Sequence, residues 1–323
     1  MEKGGNQVKG EHQSIWKVME QVNRVILGKE QIVREIALAF LAEGHVLLED
    51  MPGVGKTTLA LAFSRAMRLD YKRVQFTPDV LPSDLTGFSV YRREQEKFVY
   101  RKGSVFCNLL LADEINRTSP KTQSALLEVM EERKVTVEGI TRSVLSPFLV
   151  IATENPSGSA GTQALPRAQL DRFAICLSVG YPDFESELCM AMGIGEDDRL
   201  ARVVPVMDAG SLKNLQRDVC GVYMDDTVCR YVVELVRATR GHRFLETGGS
   251  PRATIALVRL ARAAAWLDGR DYVLPEDVAE QFPAVMRHRV KRSQAARMEA
   301  VEKDEILDEI LKAIRKPSIG RRR

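Results

Sequence analysis

Between Asp50 and Thr58 the chain reads DMPGVGKTT, directly after the apolar run Val46, Leu47, Leu48 and directly before a helical pattern starting at Leu59. Strand, tight loop and helix start are what a phosphate-cradling loop requires. Glycines let backbone N–H groups close on oxygen atoms, and the helix N-terminus adds positive potential. Gly53, Gly55, Lys56 and Thr57 fall where the pattern GxxxxGK[ST] places them, with Asp50 at the position of its first glycine. Pro52, Val54 and Thr58 complete the expected nucleotide-binding stretch. In such a loop Lys56 reaches the β and γ phosphates and the Thr57 hydroxyl binds Mg²⁺. A chance glycine turn with a solvated lysine would lack the strand and helix on either side.

The 323 residues fit about two domains, each large enough for its own core. A net charge of +3 neither requires nor excludes a nucleic-acid partner, so local clusters have to decide. The five cysteines include no CxxC pair, and no histidine lies at metal-ligand spacing from them, which points to reduced thiols. The N-terminus MEKGGNQVKGEHQ is polar where a signal peptide would be apolar, and no run approaches the roughly 18 apolar residues of a membrane helix. A cytoplasmic protein without membrane insertion is expected.

Residues up to about Ser14 carry no periodic apolar pattern and read as a loose arm. A helical stripe follows through Ile15, Val18, Met19, Val22 and Val25. After Gly28, a second helix carries Ile32, Val33, Ile36, Ala37, Phe40 and Leu41 on one face and stops at Gly44. Five short apolar runs then alternate with helices or loops: His45 to Glu49, Arg73 to Phe76, Cys107 to Asp113, Phe148 to Thr153 and Phe173 to Val179. Continuous apolar strands with crossover-length connections predict an α/β fold, a five-stranded parallel sheet between helices, with ligands at the carboxyl ends of the strands.

The third of these strands delivers Asp113 and Glu114 at its tip, where Asp113 would sit near Mg²⁺ and Glu114 could polarise an attacking water. Paired acids are common on surfaces, but these follow a buried strand downstream of a phosphate loop. Asn155, after the fourth strand, could orient that water or touch the γ-phosphate; asparagine before proline is equally good turn chemistry. Two hairpins are expected, one from Phe88–Tyr91 and Phe98–Tyr100, the other around Glu138-Gly139. Nucleotide chemistry needs neither, so they either touch something else or decorate a sheet edge.

Together GVGKTT, LLLADEINR, ATENP, LPRAQLDRF and GGSPRA resemble the AAA+ ATPases, and GHVLLEDMPGVGKTTLA, ALLEVMEERKVTVEG and DGRDYVLPEDV are most similar to the MoxR family. The resemblance covers roughly residues 25–290. It implies a P-loop AAA+ core followed by an all-helical lid, with Lys56 and Thr57 as Walker A contacts, Asp113 and Glu114 as the Walker B pair, and Asn155 as sensor 1. Arg172 resembles the arginine finger supplied to a neighbouring subunit, which implies a homo-oligomeric ring, usually a hexamer. Arg252 resembles sensor 2, and Gly28 belongs to the loop bordering the adenine. Arg167 stands where the family typically has glutamate, so two arginines compete for the role of trans finger. The implied role is chaperone-like, maturing client enzymes, often with von Willebrand factor A domain partners, and the implied ligands are ATP and Mg²⁺.

Expected domains are an N-terminal arm and helix (1–24), the nucleotide-binding core (25–181), the helical lid (182–290) and a mixed-charge C-terminal helix with a basic tail (291–323). Ser250 suits an N-cap and Pro251 the first helical position, placing Arg252 in the first turn. A cation there opposes the helix dipole by about 0.3–1 kcal/mol unless an anion lies near, so ATP phosphate under Arg252 would let the lid close over the nucleotide. Arg287, Arg289, Lys291, Arg292 and Arg297 form a basic run, but interleaved acids after Glu299 favour a solvated mixed-charge helix over a nucleic-acid footprint. The leading expectation is an Mg²⁺-dependent ATPase that remodels client proteins. A nucleic-acid motor and a nucleotide-gated scaffold are the alternatives.

Overall fold

The structure, a computed structural model, describes residues 4–50, 53–154, 164–192 and 196–318. Nine strands fall in the first part of the chain: β1 (Val46–Glu49), β2 (Tyr71–Gln75), β3 (Gly87–Arg92), β4 (Lys97–Lys102), β5 (Leu109–Asp113), β6 (Lys134–Val137), β7 (Ile140–Ser143), β8 (Leu149–Glu154) and β9 (Ile175–Leu177). Five of them form one parallel sheet in the order β2-β5-β8-β1-β9, so the strand carrying the glycine loop is flanked by β8 and β9. These are the five apolar runs of the sequence, with ends shifted by one to two residues.

Alternation along the inner strands divides the core. Val46, Leu48, Leu109, Leu111, Leu149, Ile151, Ile175 and Leu177 face the helices Gly4–Asn23, Glu30–Leu41 and Lys56–Ala66. Leu47, Leu110, Ala112, Val150, Ala152 and Cys176 face the other side, against the helix Pro120–Glu132 and the hairpin bases. Both faces are dry, as a parallel sheet requires. β2 departs from the expected continuous apolar pattern: it is a half-buried edge strand, YKRVQ, with polar residues on the side that needs no cover.

The N-terminal helix begins at Gly4, ahead of the expected start near Ser14. A helix can extend past its buried stripe without further apolar positions, and only from Ile15 onward does the stripe pack. The lid consists chiefly of the helices Ala209–Cys220, Asp226–Ala238, Pro251–Leu267 and Pro275–Met286. It is not wholly helical: β10 (Leu245–Thr247) and β11 (Lys291–Arg292) form a short antiparallel ladder. The C-terminal helix Lys303–Ala313 buries Ile306, Leu307 and Ile310 in the same apolar cluster as the lid. Core and lid share that cluster, and Gln216 Nε2 donates to the Phe40 carbonyl at 2.8 Å across the boundary.

The basic run before this helix is largely spoken for within the chain. Arg287 pairs with Asp304 at 2.9 Å, Lys291 with Glu246 at 2.9 Å and Arg292 with Glu302 at 2.6 Å. Such exposed pairs add little stability, but they leave less free positive charge for a nucleic-acid backbone. Residues 319–323, with the terminal arginines, lie outside the described residues. No described helix is long and apolar enough to cross a membrane.

Candidate active site

At the carboxyl end of β1 the chain enters the helix Lys56–Ala66 through Gly53 at φ +90° and Gly55 at φ +81°. Gly55 occupies the N-cap position without a side-chain cap, so the first turn offers its N–H groups outward. Among the described residues, and leaving aside chain neighbours, no atom lies within 4 Å of a Cβ added at either glycine, so both glycines face open space. Lys56 is buried and its Nζ donates to the Asp50 carbonyl at 2.8 Å. Burial pulls its ammonium down from the ordinary lysine range, opposed by Asp50, Asp113 and Glu114. A buried cation among acids, at a glycine turn that opens an uncapped helix N-terminus, fits a phosphate chain.

Asp50, which looked from sequence like a departure from the glycine pattern, is a structural tie. Its buried carboxylate accepts from Ser178 Oγ at 2.9 Å and from the backbone N–H groups of Gly180, at 3.1 Å, and Val179. It thereby fixes the phosphate loop to the end of β9, where the chain turns toward the lid. Lys29 Nζ donates to the Tyr181 carbonyl at 2.7 Å in the same turn. Gly28, at φ +66°, approaches so closely that an added Cβ would lie 2.5 Å from Asp183 Oδ2.

Asp113 and Glu114 end β5 as expected. The Thr153 hydroxyl of β8 donates to Asp113 Oδ1 at 2.7 Å and accepts the Glu114 N–H at 2.8 Å, so both acids are indexed to the neighbouring strand. Glu114 holds a left-handed backbone at φ +56°, a conformation costing about 1 kcal/mol or more in a residue with a Cβ. Its carboxylate pairs with Arg117 at 2.7 Å. Arg73 of β2 pairs with Asp113 Oδ2 at 2.6 Å. Sequence reasoning missed Arg73 and Thr153, because only strand order brings them to the tip of β5. Glu154, at the end of β8, is pushed up to about 7 by burial and by Glu49 beside it.

Among the described residues no group of three or more His, Cys, Asp or Glu could cage a metal. Thr57 and Asp113 instead offer the sparse oxygen set that suits Mg²⁺ held mainly through phosphates and water. Pro52 and Asn155 lie outside the described residues.

Arg172 and Arg252 are elsewhere. Both reach one carboxylate, Glu131, near the end of the helix Pro120–Glu132: Arg172 Nε lies 3.2 Å from Oε2, and Arg252 Nη2 pairs with Oε1. They line a cavity of about 500 Å³ with Arg133, Arg259 and Arg289. Gly44 and His45, which precede β1, line it too, so it opens at the amino end of the strand whose carboxyl end carries the phosphate loop. At about 3.3 Å per residue, the path from His45 to Asp50 is roughly 16 Å. Arg252, expected to meet ATP phosphate as the lid closes, rests here on Glu131 at the opposite end of the strand from the chain's own phosphate loop. Its helix is anchored at the other end, where the N-cap Ser250 Oγ donates to Asp171 Oδ2 at 2.7 Å.

Arg289 completes this anchor. Almost fully buried, it donates from Nε to Asp171 Oδ1 at 2.9 Å and from its other nitrogens to the carbonyls of Asp171, Phe173, Ala174 and Val285. Sequence reasoning placed it in a solvated basic run; its partners are 115 residues or more away except for Val285, in the helix just before it, and no local spacing signals them. Arg167, the second finger candidate, donates to the Arg289 carbonyl at 2.9 Å and is not among the residues lining the cavity.

A glycine loop opening a helix, an acid pair on the second strand over and a helical lid define a P-loop ATPase of the AAA class. The family described as "ATPase family associated with various cellular activities (AAA)" matches residues 45–175, and the AAA lid domain matches residues 237–310. The chain is 37% identical to the chaperone MoxR1 of Mycobacterium tuberculosis, over 98% of this chain and 86% of that one. It is 46% identical to the uncharacterized YeaC protein of Bacillus subtilis, over 95% and 96%. The MoxR protein of Methylorubrum extorquens is 32% identical, over 84% and 85%. A crystal structure from Cytophaga hutchinsonii superimposes with a TM-score of 0.89 at 34% identity, covering 97% of this chain and 98% of that one. The chain belongs to the MoxR family of AAA+ ATPases.

Proposed function

We propose that the protein hydrolyses ATP in an oligomeric ring, usually six subunits in this family, and uses the cycle to remodel or mature client proteins. The observation that carries this reading is the separation of the two halves of the site. The lysine, acid pair and glycine loop sit at one end of β1, and the arginines sit at the other. One subunit cannot bring Arg172 to its own phosphates across roughly 16 Å of strand, whereas a head-to-tail neighbour can.

In this account the loop N–H groups from Gly53 to Thr57 and the Lys56 ammonium hold the β and γ phosphates. Thr57 and Asp113 would hold Mg²⁺, which supplies charge neutralisation on the phosphate oxygens when bound. Glu114 orients and polarises the attacking water, with Asn155 as its expected partner. Arg172 of the adjoining subunit meets the charge that develops on the transferred phosphoryl group. Asp50 and Gly28 border the turn between core and lid, which suits a loop that senses the adenine side of the nucleotide.

A client role is supported by the mycobacterial relative, named a chaperone, and by the two hairpins. Phe88, Tyr91, Phe98 and Ile140 are exposed on them, and Ser89 Oγ donates to Glu138 Oε2 at 2.6 Å, joining the hairpins into one projection. A von Willebrand factor A domain protein is the partner type the family suggests. The test is ATP turnover by purified protein as its concentration is raised. A rate per subunit that climbs with concentration, depends on Mg²⁺ and is lost in Glu114→Gln with nucleotide still bound supports the proposal. Turnover absent at every concentration, or independent of concentration and untouched by Glu114→Gln, would contradict it.

A further inference from the structure

Among the described residues Glu131 is the one carboxylate that both Arg172 and Arg252 touch, and those arginines come from different parts of the chain, one from the core and one from the lid. The pairing is incomplete. Arg172 Nε is buried and lies 3.2 Å from Glu131 Oε2, yet off line, so that it has no hydrogen-bond partner. Glu131 itself keeps 38% side-chain exposure and stands at the mouth of an arginine-rich cavity. Five guanidinium groups, those of Arg133, Arg172, Arg252, Arg259 and Arg289, face three carboxylates there, those of Glu43, Glu131 and Asp171. Asp171 is already committed to Ser250 and Arg289. The pocket lining therefore carries surplus positive charge, and Arg172 and Arg252 are the two of its arginines that Glu131 holds.

We propose that Glu131 is an internal stand-in for phosphate: it holds Arg172 and Arg252 together in a subunit that has no nucleotide-loaded neighbour, and it gives them up when the neighbour's γ-phosphate arrives. The inference rests on the trans reading of Arg172. A carboxylate and a terminal phosphate both present oxygens that a guanidinium can fork onto, and the phosphate, carrying more charge, is the stronger acceptor. The backbone of Arg172 does not depend on Glu131, because Asp171 before it and Phe173 after it are fixed by Arg289. Removing the carboxylate thus frees two side chains without moving the segment that presents them. Glu131 is a positioning residue that opposes assembly on nucleotide, and Arg252 joins Arg172 at the neighbour's site.

The experiment compares wild type, Glu131→Gln and Glu132→Gln in ATP turnover per subunit across a range of protein concentrations. Glu132→Gln removes the adjacent exposed charge and controls for net charge alone. The concentration giving half-maximal rate is expected to fall roughly threefold to tenfold in Glu131→Gln, the scale of two partly exposed ion pairs, with the plateau rate within about twofold of wild type. Glu132→Gln is expected to leave it unchanged. An unchanged or raised half-maximal concentration in Glu131→Gln, or an equal shift in Glu132→Gln, overturns the stand-in role. Arg172→Ala turning over ATP at the full wild-type rate overturns instead the trans reading beneath it, so the two failures are distinguishable.

Discussion

The two ends of the central sheet solve one problem by opposite means. At the carboxyl end, Lys56 waits on the Asp50 carbonyl and Asp113 on Arg73, within a stretch where nearly every phosphate-facing group comes from one nine-residue loop and one strand tip. At the amino end, Arg172 and Arg252 wait on Glu131, in a cavity assembled from segments near residues 44, 131, 172, 255 and 289. In both places the cation or acid is held by a partner from its own chain. The loop end depends on local backbone geometry and the arginine end on long-range packing, so the same kind of substitution should have different consequences at each.

The largest effects are expected at the loop end and should be purely chemical. Glu114→Gln should lower kcat by about 10²–10⁴ with ATP still bound, and Lys56→Ala should weaken ATP binding at least about a hundredfold. Rapid-quench turnover and titration with a fluorescent nucleotide read the two separately. Neither should move unfolding stability by more than about 1 kcal/mol. A large loss of stability in either would break the contrast.

Arg289→Gln is the matching test at the arginine end. It leaves the half-buried Asp171 carboxylate without its cation and three backbone carbonyls without their buried donor, so stability should fall by about 3 kcal/mol in denaturant unfolding, and turnover should fall with it because Arg172 loses its anchor. A variant that lost turnover with no change in stability would show that the amino end, too, is locally built.

A smaller effect is expected at Glu35, between the core and the lid helix of Gln281. Burial pushes its carboxyl up to about 7, while Gln281 and Gln31 donate to it. In the unfolded chain it ionises near 4.5, so between about pH 4.5 and 7 the folded state binds the extra proton and stability declines as pH rises. Glu35→Gln should therefore gain about 3 kcal/mol over wild type at pH 8 and nothing at pH 4. Equal stability at both pH values would mean that the carboxyl is solvated and the core–lid seam is open.

What the sequence made legible follows the same division. The five strands, the glycine loop, the acid pair and the N-cap at Ser250 were readable because continuous apolar runs, glycine spacing and capping act over a few residues. Arg172 was found only through family resemblance, Arg252 also through its place in the first turn after Ser250, and their meeting on Glu131 was not readable at all. Asp50 looked like an irregular glycine position because its donors, Ser178 to Gly180, lie 128 or more residues on. Arg289 looked like one solvated cation among several, for the same reason. Periodicity reports which face is buried; it does not report which distant carboxylate a buried arginine will meet.

The central claim, that each site is completed by the far end of another subunit's sheet, is tested most directly by mixing Lys56→Ala subunits with Arg172→Ala subunits. Each alone should be inactive, one lacking the phosphate grip and the other the arginine. Mixed in equal amounts they should recover a substantial fraction of wild-type turnover, because a Lys56→Ala subunit still presents Arg172 to a neighbour with an intact loop. A mixture no more active than its components, or an Arg172→Ala protein fully active on its own, would contradict the account.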